Sequence, residues 1–233
     1  MNKLAGLLLI VLVICFVAYK FQAAESDRVQ RVMAFGDSLT YGKGDKHGQG
    51  YVQGLEDELN NSESEQKVSF WNYGIKGQET DGVIKQLEDY RIHTKLDKAD
   101  TFIVYIGTND FINSNGGDLK GINDHKIDGG KREYIRHLER ITSTLLKENG
   151  KADILVVGLY NPIVGNGRIE KHIQDYNQSI EAVVSKDKRM VFIPTDDLFK
   201  RKKKAEYFSD SIHPNERGYK LITNRILASY DFK

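Results

Sequence analysis

A serine, a histidine and an acid stand near opposite ends of this 233-residue chain in settings suited to nucleophilic catalysis. Ser38 lies in Phe35-Gly36-Asp37-Ser38-Leu39-Thr40-Tyr41-Gly42, just after a short apolar stretch that ends at Ala34. Asp210 and His213 stand three residues apart in Ser209-Asp210-Ser211-Ile212-His213-Pro214. A serine hydroxyl is a weak nucleophile until a base takes its proton. An unperturbed imidazole titrates near ~6.5, so it can take that proton and return it near neutrality. An aspartate can orient the ring and stabilise its protonated form. Taken singly, each feature has a plainer explanation. Serine often caps a helix, and an aspartate three residues before a histidine is often only a cap. The Gly-x-Ser-x-Gly elbow is absent, because Thr40 holds its last position. His47, His93, His125, His137 and His172 lack the same arrangement of acid and following proline.

Two further segments carry donors. Asn72-Tyr73-Gly74-Ile75-Lys76-Gly77-Gln78-Glu79-Thr80 offers the backbone N–H of Gly77, and Gly107-Thr108-Asn109-Asp110 offers the Asn109 amide. With the N–H of Ser38 they make three candidate donors for a developing oxyanion, each worth ~3 kcal/mol of barrier lowering in a hydrolase. Alone, the glycines suit ordinary turns and Asn109 suits a turn-stabilising amide. Four fitting segments in order, each at an element boundary, are a stronger signal than any one of them.

The elements that must position these residues alternate. Candidate strands are Arg31–Gly36, Lys67–Tyr73, Thr101–Gly107, Ile154–Leu159 and Arg189–Pro194. The unbroken apolar runs Ile103–Ile106 and Ile154–Val157 suit parallel strands buried on both faces. Helical spacing joins Val83, Leu87 and Tyr90; then Tyr134, Leu138, Ile141 and Leu145; then Ile169, Ile173, Tyr176, Ile180 and Val183. A last helix is expected from Pro214 to Tyr230, with Tyr219, Ile222 and Ile226 inward. This alternation predicts a parallel sheet with helices on both faces, so Ser38, Gly77 and Asn109 all reach its carboxyl edge. Asn113 to Gly130, rich in Gly, Asn and Asp, reads as a loop on that edge, either a lid or a plain surface excursion.

The four segments resemble the SGNH hydrolases, also called GDSL esterases and lipases. Gly36-Asp37-Ser38-Leu39 matches the first block, Gly77 the second, Gly107-Thr108-Asn109-Asp110 the third and Asp210-Ser211-Ile212-His213-Pro214 the last. The likeness spans about residues 31–229 and is nearest to small bacterial lysophospholipase-like and thioesterase-like members. It implies a flavodoxin-like three-layer α/β/α sandwich with a five-stranded parallel sheet. It also implies ester hydrolysis through Ser38, Asp210 and His213, extending to thioesters or lysophospholipids. Ser38, Gly77 and Asn109 would form the oxyanion hole, with no metal and no organic cofactor. A carbohydrate O-acetylesterase acting on envelope glycans is the alternative within enzymes. A non-catalytic ligand-binding module on the same fold is the alternative outside them. Against that module, no glycine-rich phosphate-binding pattern occurs.

Composition bounds the partners. Apolar residues make up 39% and charged residues 29%, as in an ordinary soluble domain. Net charge is +1, and −1 once residues 1–24 with Lys3 and Lys20 are set aside, so nothing points to nucleic acid. The sole cysteine, Cys15, lies in the N-terminal apolar run, which excludes a disulfide, a thiol nucleophile and a Cys-rich metal site from the body. That run, Leu4 to Tyr19, reaches roughly 24 Å as a helix, a little short of the ~30 Å hydrocarbon core. The sequence thus divides into a signal anchor over 1–24, a linker over 25–30 and a hydrolase domain over 31–233. Cleavage as a signal peptide meets Gln22 or Phe21 at the −3 position, and lipidation at Cys15 meets bulky Ile14 before it. The anchor reading places the catalytic domain outside the cell membrane, with secreted or lipid-anchored forms as alternatives. A membrane-held hydrolase suggests lipid or envelope esters as substrates. The run Lys200-Arg201-Lys202-Lys203-Lys204 reads as a solvated face or as a contact for anionic head groups.

Overall fold

The computed structural model describes residues 13–14, 29–61 and 67–232. Five strands alternate their side chains between two faces: β1 (Gln30–Gly36), β2 (Val68–Gly74), β3 (Thr101–Tyr105), β4 (Asp153–Val157) and β5 (Met190–Ile193). All pair in parallel, in the order β2-β1-β3-β4-β5. Met33, Phe35, Phe102, Val104, Ile154 and Val156 face one helical layer. Val32, Ala34, Ile103, Tyr105, Leu155 and Val157 face the other. Both faces of the central strands are thus buried against mainly apolar side chains, which is why β3 and β4 lack polar alternation.

The first layer holds α3 (Thr80–Glu88), α6 (Asp124–Glu148) and α7 (Gly167–Val184), and the second holds α2 (Gly50–Asn61) and α9 (Glu216–Ser229). Short helices α1 (Ser38–Tyr41), α4 (Tyr90–His93), α5 (Thr108–Ser114) and α8 (Lys204–Tyr207) turn the chain near strand ends and loops. This is the three-layer α/β sandwich expected from the sequence. Because β1 lies between β2 and β3, the winding reverses there and opens a crevice at their carboxyl ends. Gly36 aligns with Gly74 on one side and Tyr105 on the other, so the turns after all three strands start at one level.

Several expectations need correction. The segment read as a loop over 113–130 is helical at both ends: α5 runs to Ser114, α6 begins at Asp124, and the connection between them is the part that stays irregular. Asn123 caps α6 by accepting the Lys126 N–H, so only the short connection around Asn115 remains. Gly129 and Gly130 sit inside α6. Gly130 lies against Ser114, where a Cβ would come within 2.2 Å of the serine Cβ, so the glycine serves helix packing. Asn115 ties the connection on itself through the carbonyls of Asp118 and Gly121.

Tyr90 does not extend the α3 stripe. Asp89 ends that helix and caps α4, leaving Tyr90 79% exposed. The last helix starts at Glu216, capped by Asn215, and not at Pro214. Helix α2, unread in the sequence, buries Tyr51, Val52 and Leu55. The expected anchor over 1–24 lies outside the described residues apart from Val13 and Ile14. Among the described residues no helix is long and apolar enough to cross a membrane.

Candidate active site

Strand β1 ends at Gly36, and Asp37 turns the chain into α1. The Asp37 carboxylate accepts the Leu39 N–H at 2.8 Å, an N-cap bond that leaves Ser38 as the first helical residue. The Ser38 N–H therefore has no acceptor within its own helix. The Ser38 side chain is only 6% exposed. Its Oγ lies 2.9 Å from His213 Nε2, across 175 residues of sequence.

His213 arrives on the loop between α8 and α9. Its Nδ1 lies 2.7 Å from Asp210 Oδ2, while Asp210 Oδ1 accepts the N–H groups of Ile212 and His213 at 2.9 and 2.8 Å. One carboxylate thus folds its own loop and holds the ring. Burial works to raise the Asp210 carboxyl, but these three donors together outweigh it and keep it below its ordinary value. An ionised Asp210 can only accept, so Nδ1 carries the hydrogen and Nε2 is left to accept from the Ser38 hydroxyl. Burial pushes the imidazole below its ordinary value; Asp210 opposes this and Lys43 adds to it. The ring is therefore neutral at neutral pH, the state a general base requires.

The expected oxyanion donors sit at the ends of the neighbouring strands. Gly77 follows β2 with φ +77°, a left-handed turn, and its N–H has no acceptor among the described residues. The turn is fixed by Gln78, whose amide donates to Gly36 O at 3.1 Å and to Gln86 Oε1 at 2.9 Å. Asn109 follows β3. Its amide nitrogen donates to Gln78 O at 2.9 Å and to Asp37 Oδ2 at 3.2 Å, so both hydrogens rest on internal partners. Asp37 is 1% exposed, and burial pushes its carboxyl up to about 7, with the Leu39 N–H working against the shift. Asp110, beside Asn109, is pushed up to about 6 by burial despite hydrogen bonds from Thr80.

The sequence-expected site residues thus lie at the carboxyl edge of the sheet: Ser38 on His213 and His213 on Asp210, with Gly77 on the turn after β2 and Asn109 in the first turn of α5. Sequence reasoning gave no role to Asp37 or Gln78, which join Ser38's helix to the Gly77 and Asn109 turns. Asp37 is adjacent to Ser38, but its contact with Asn109 crosses 72 residues and leaves no local signal. In the Lys200–Lys204 run, Arg201, Lys202 and Lys203 are exposed, as a solvated face would be. Lys200 pairs with Glu170, Lys203 with Glu206, and Lys202 lies over the Tyr207 ring. Lys204 is turned inward onto the carbonyls of Pro162 and Ser211.

Residues 34–221 match the model of the GDSL-like Lipase/Acylhydrolase family. The spore germination lipase LipC of Bacillus licheniformis is 27% identical over 205 residues, covering 84% of this chain and 94% of that protein. The uncharacterized protein YpmR of Bacillus subtilis is 29% identical over 201 residues, covering 84% of this chain and 79% of that one. Among solved structures, the lipase Lip_vut3 from a goat rumen metagenome superposes with a TM-score of 0.74 at 23% identity, covering 86% of this chain and 97% of that one. An acetylxylan esterase from Geobacillus stearothermophilus superposes with a TM-score of 0.69 at 19% identity, covering 88% and 95%. At such identities the two structures speak to the fold alone.

Proposed function

The chain belongs to the GDSL-like lipase/acylhydrolase family and is an ester-hydrolysing serine hydrolase; from this premise we propose that Ser38 is its nucleophile, His213 its general base and Asp210 the acid that holds the base. Family membership separates this reading from a non-catalytic binding module. The observation that supports the roles most is the unbroken contact from Ser38 Oγ to His213 Nε2 and from Nδ1 to Asp210, at 2.9 and 2.7 Å.

The chemistry runs in two steps. His213 takes the Ser38 proton as Oγ attacks the ester carbonyl, and the imidazolium then protonates the leaving alkoxide. In the second step His213 takes a proton from water, the hydroxide attacks the acyl-serine, and Ser38 regains its hydrogen. The N–H groups of Ser38 and Gly77 and the Asn109 amide receive the oxyanion in both steps. For Asn109 this means exchanging the longer contact, 3.2 Å to Asp37, for the substrate oxygen, while Gln78 O keeps the amide in place.

The substrate class we favour is an ester with an apolar acyl chain. Tyr41, at the end of Ser38's helix, is 46% exposed, and Ile75, whose N–H is bonded to Gly36 O, is 49% exposed. Ile75 thus leaves an apolar side chain exposed near the end of β1, while the Tyr41 ring lies under the Lys76 ammonium at 4.1 Å. The relative named as a spore germination lipase supports the same class. No specific observation favours the carbohydrate O-acetylesterase alternative. The apolar run Leu4–Tyr19 supports a signal anchor over 1–24 that holds the domain, 31–233, outside the cell membrane.

The test is hydrolysis of nitrophenyl esters of graded chain length by the wild type and by Ser38→Ala. We expect kcat/KM to rise beyond acetyl and turnover to vanish in a folded Ser38→Ala protein. Wild-type turnover by that variant would refute the assignment.

A further inference from the structure

The loop that carries Asp210 and His213 is tied down by contacts that the roles above do not use. The carbonyls of Ser211, Ile212 and His213 are each capped in turn. Ser209 N–H closes the last one within the loop at 2.9 Å. The other two are held from outside. Tyr160 Oη donates to Ile212 O at 2.6 Å, and Lys204 Nζ donates to Ser211 O at 2.5 Å. Lys204 also donates to Pro162 O at 2.7 Å, so its ammonium spans the loop after β4 and the loop of the base.

The setting of these two donors is rigid. Tyr160 is 3% exposed and packs edge-on against Phe199 and Phe208, with ring centroids 4.9 and 5.9 Å away. Phe199 and Phe208 lie 4.7 Å apart, completing an aromatic trio below the loop. The Lys204 ammonium sits 5.3 Å from the Phe208 ring centroid. Partial burial lowers its pKa, with Asp210 working against the shift. A lysine kept on the surface for solubility has no need of such a place. Asp210, by contrast, has a side chain 45% exposed, so it lacks walls of its own to fix the loop.

We propose that Tyr160 and Lys204 are positioning residues: by holding two consecutive carbonyls of the 209–213 loop they set the reach of His213 to Ser38. This rests on the reading of Ser38 and His213 as nucleophile and base. Neither residue touches the reacting atoms. Their effect is on geometry, and a displacement of about 1 Å in a catalytic group can lower the rate about 10²-fold.

The experiment compares wild type, Tyr160→Phe and Lys204→Met. The first deletes one hydroxyl and keeps the ring in its trio. The second deletes the ammonium and keeps an apolar stem of similar length. Three quantities are measured: kcat and KM on a nitrophenyl ester, the rate at which a fluorophosphonate modifies Ser38, and the thermal midpoint. We expect kcat and the modification rate to fall together by about 5- to 50-fold, with KM within about twofold, at temperatures where both variants stay folded. Should Lys204→Met fail to fold, Tyr160→Phe carries the test alone. A folded Tyr160→Phe protein with kcat and modification rate within about twofold of wild type would overturn the proposal. A wild type that neither hydrolyses ester nor takes the probe would instead strike the nucleophile assignment itself.

Discussion

The two halves of the site are built differently. The base half comes from one short loop, in which Asp210 stands three residues before His213 and holds the ring whose Nε2 meets Ser38 Oγ. The proposed oxyanion half is gathered from the ends of β1, β2 and β3, and its one side-chain donor, Asn109, rests on Asp37 and Gln78. A local pair can be assembled by a single carboxylate that caps its own loop. Donors from three strands need the sheet register to bring them level, and Gly36 aligned with Gly74 and Tyr105 supplies that. The first half is therefore preorganised by the loop's own bonds, with Tyr160 and Lys204 holding two of its carbonyls from outside. The second is preorganised by topology, with one exchangeable contact kept in reserve.

Three changes sharpen this contrast. Breaking the base half has the largest effect: His213→Ala should lower kcat by about 10⁴-fold or more while the fold is kept, since nothing else in contact with Ser38 Oγ can take its proton. Breaking the oxyanion half costs less. Asn109→Ala should lower kcat by about 10²- to 10³-fold, because Ser38 and Gly77 still offer backbone N–H groups. Unchanged kcat in a folded Asn109→Ala protein would remove that residue from the hole.

The smallest effect is on pH. His213 is held below its ordinary value by burial, with Lys43 adding to the depression. With His213 as the proposed base the neutral ring would be the active form, so kcat/KM should rise with pH through a midpoint below ~6.5. Lys43→Gln removes one depressing charge and should move that midpoint upward by about a few tenths of a pH unit, an exposed charge being well screened. The same sign governs stability. The unfolded histidine binds a proton below ~6.5 more readily than the folded one, so His213 makes the fold less stable as pH falls through that value. A pH–rate profile of both proteins checks the first two statements, and thermal midpoints between mildly acid and neutral pH check the third.

Much of this was legible in the sequence. The strands announced themselves as apolar runs, Ser38, Gly77 and Asn109 as short motifs after three of them, and Asp210 and His213 as a motif just before the last helix. What escaped was of two kinds. Glycines inside a helix read as a loop, because Gly130 is chosen for contact with Ser114 and not for its own backbone. Likewise Lys204 read as surface charge within a basic run, although its ammonium is turned onto two carbonyls. Tyr160 and Asp37 went unassigned because their decisive bonds cross 52 and 72 residues. Helix α2 could have been found: Tyr51, Val52, Leu55 and Leu59 keep helical spacing.

The central claim is that His213 activates the Ser38 hydroxyl. Its most direct test is the rate of fluorophosphonate attachment at position 38 in wild type and in folded His213→Ala protein, located by peptide mass. Rapid attachment to wild type and background attachment to the variant is the predicted result. Equal rates in the two proteins would contradict the account.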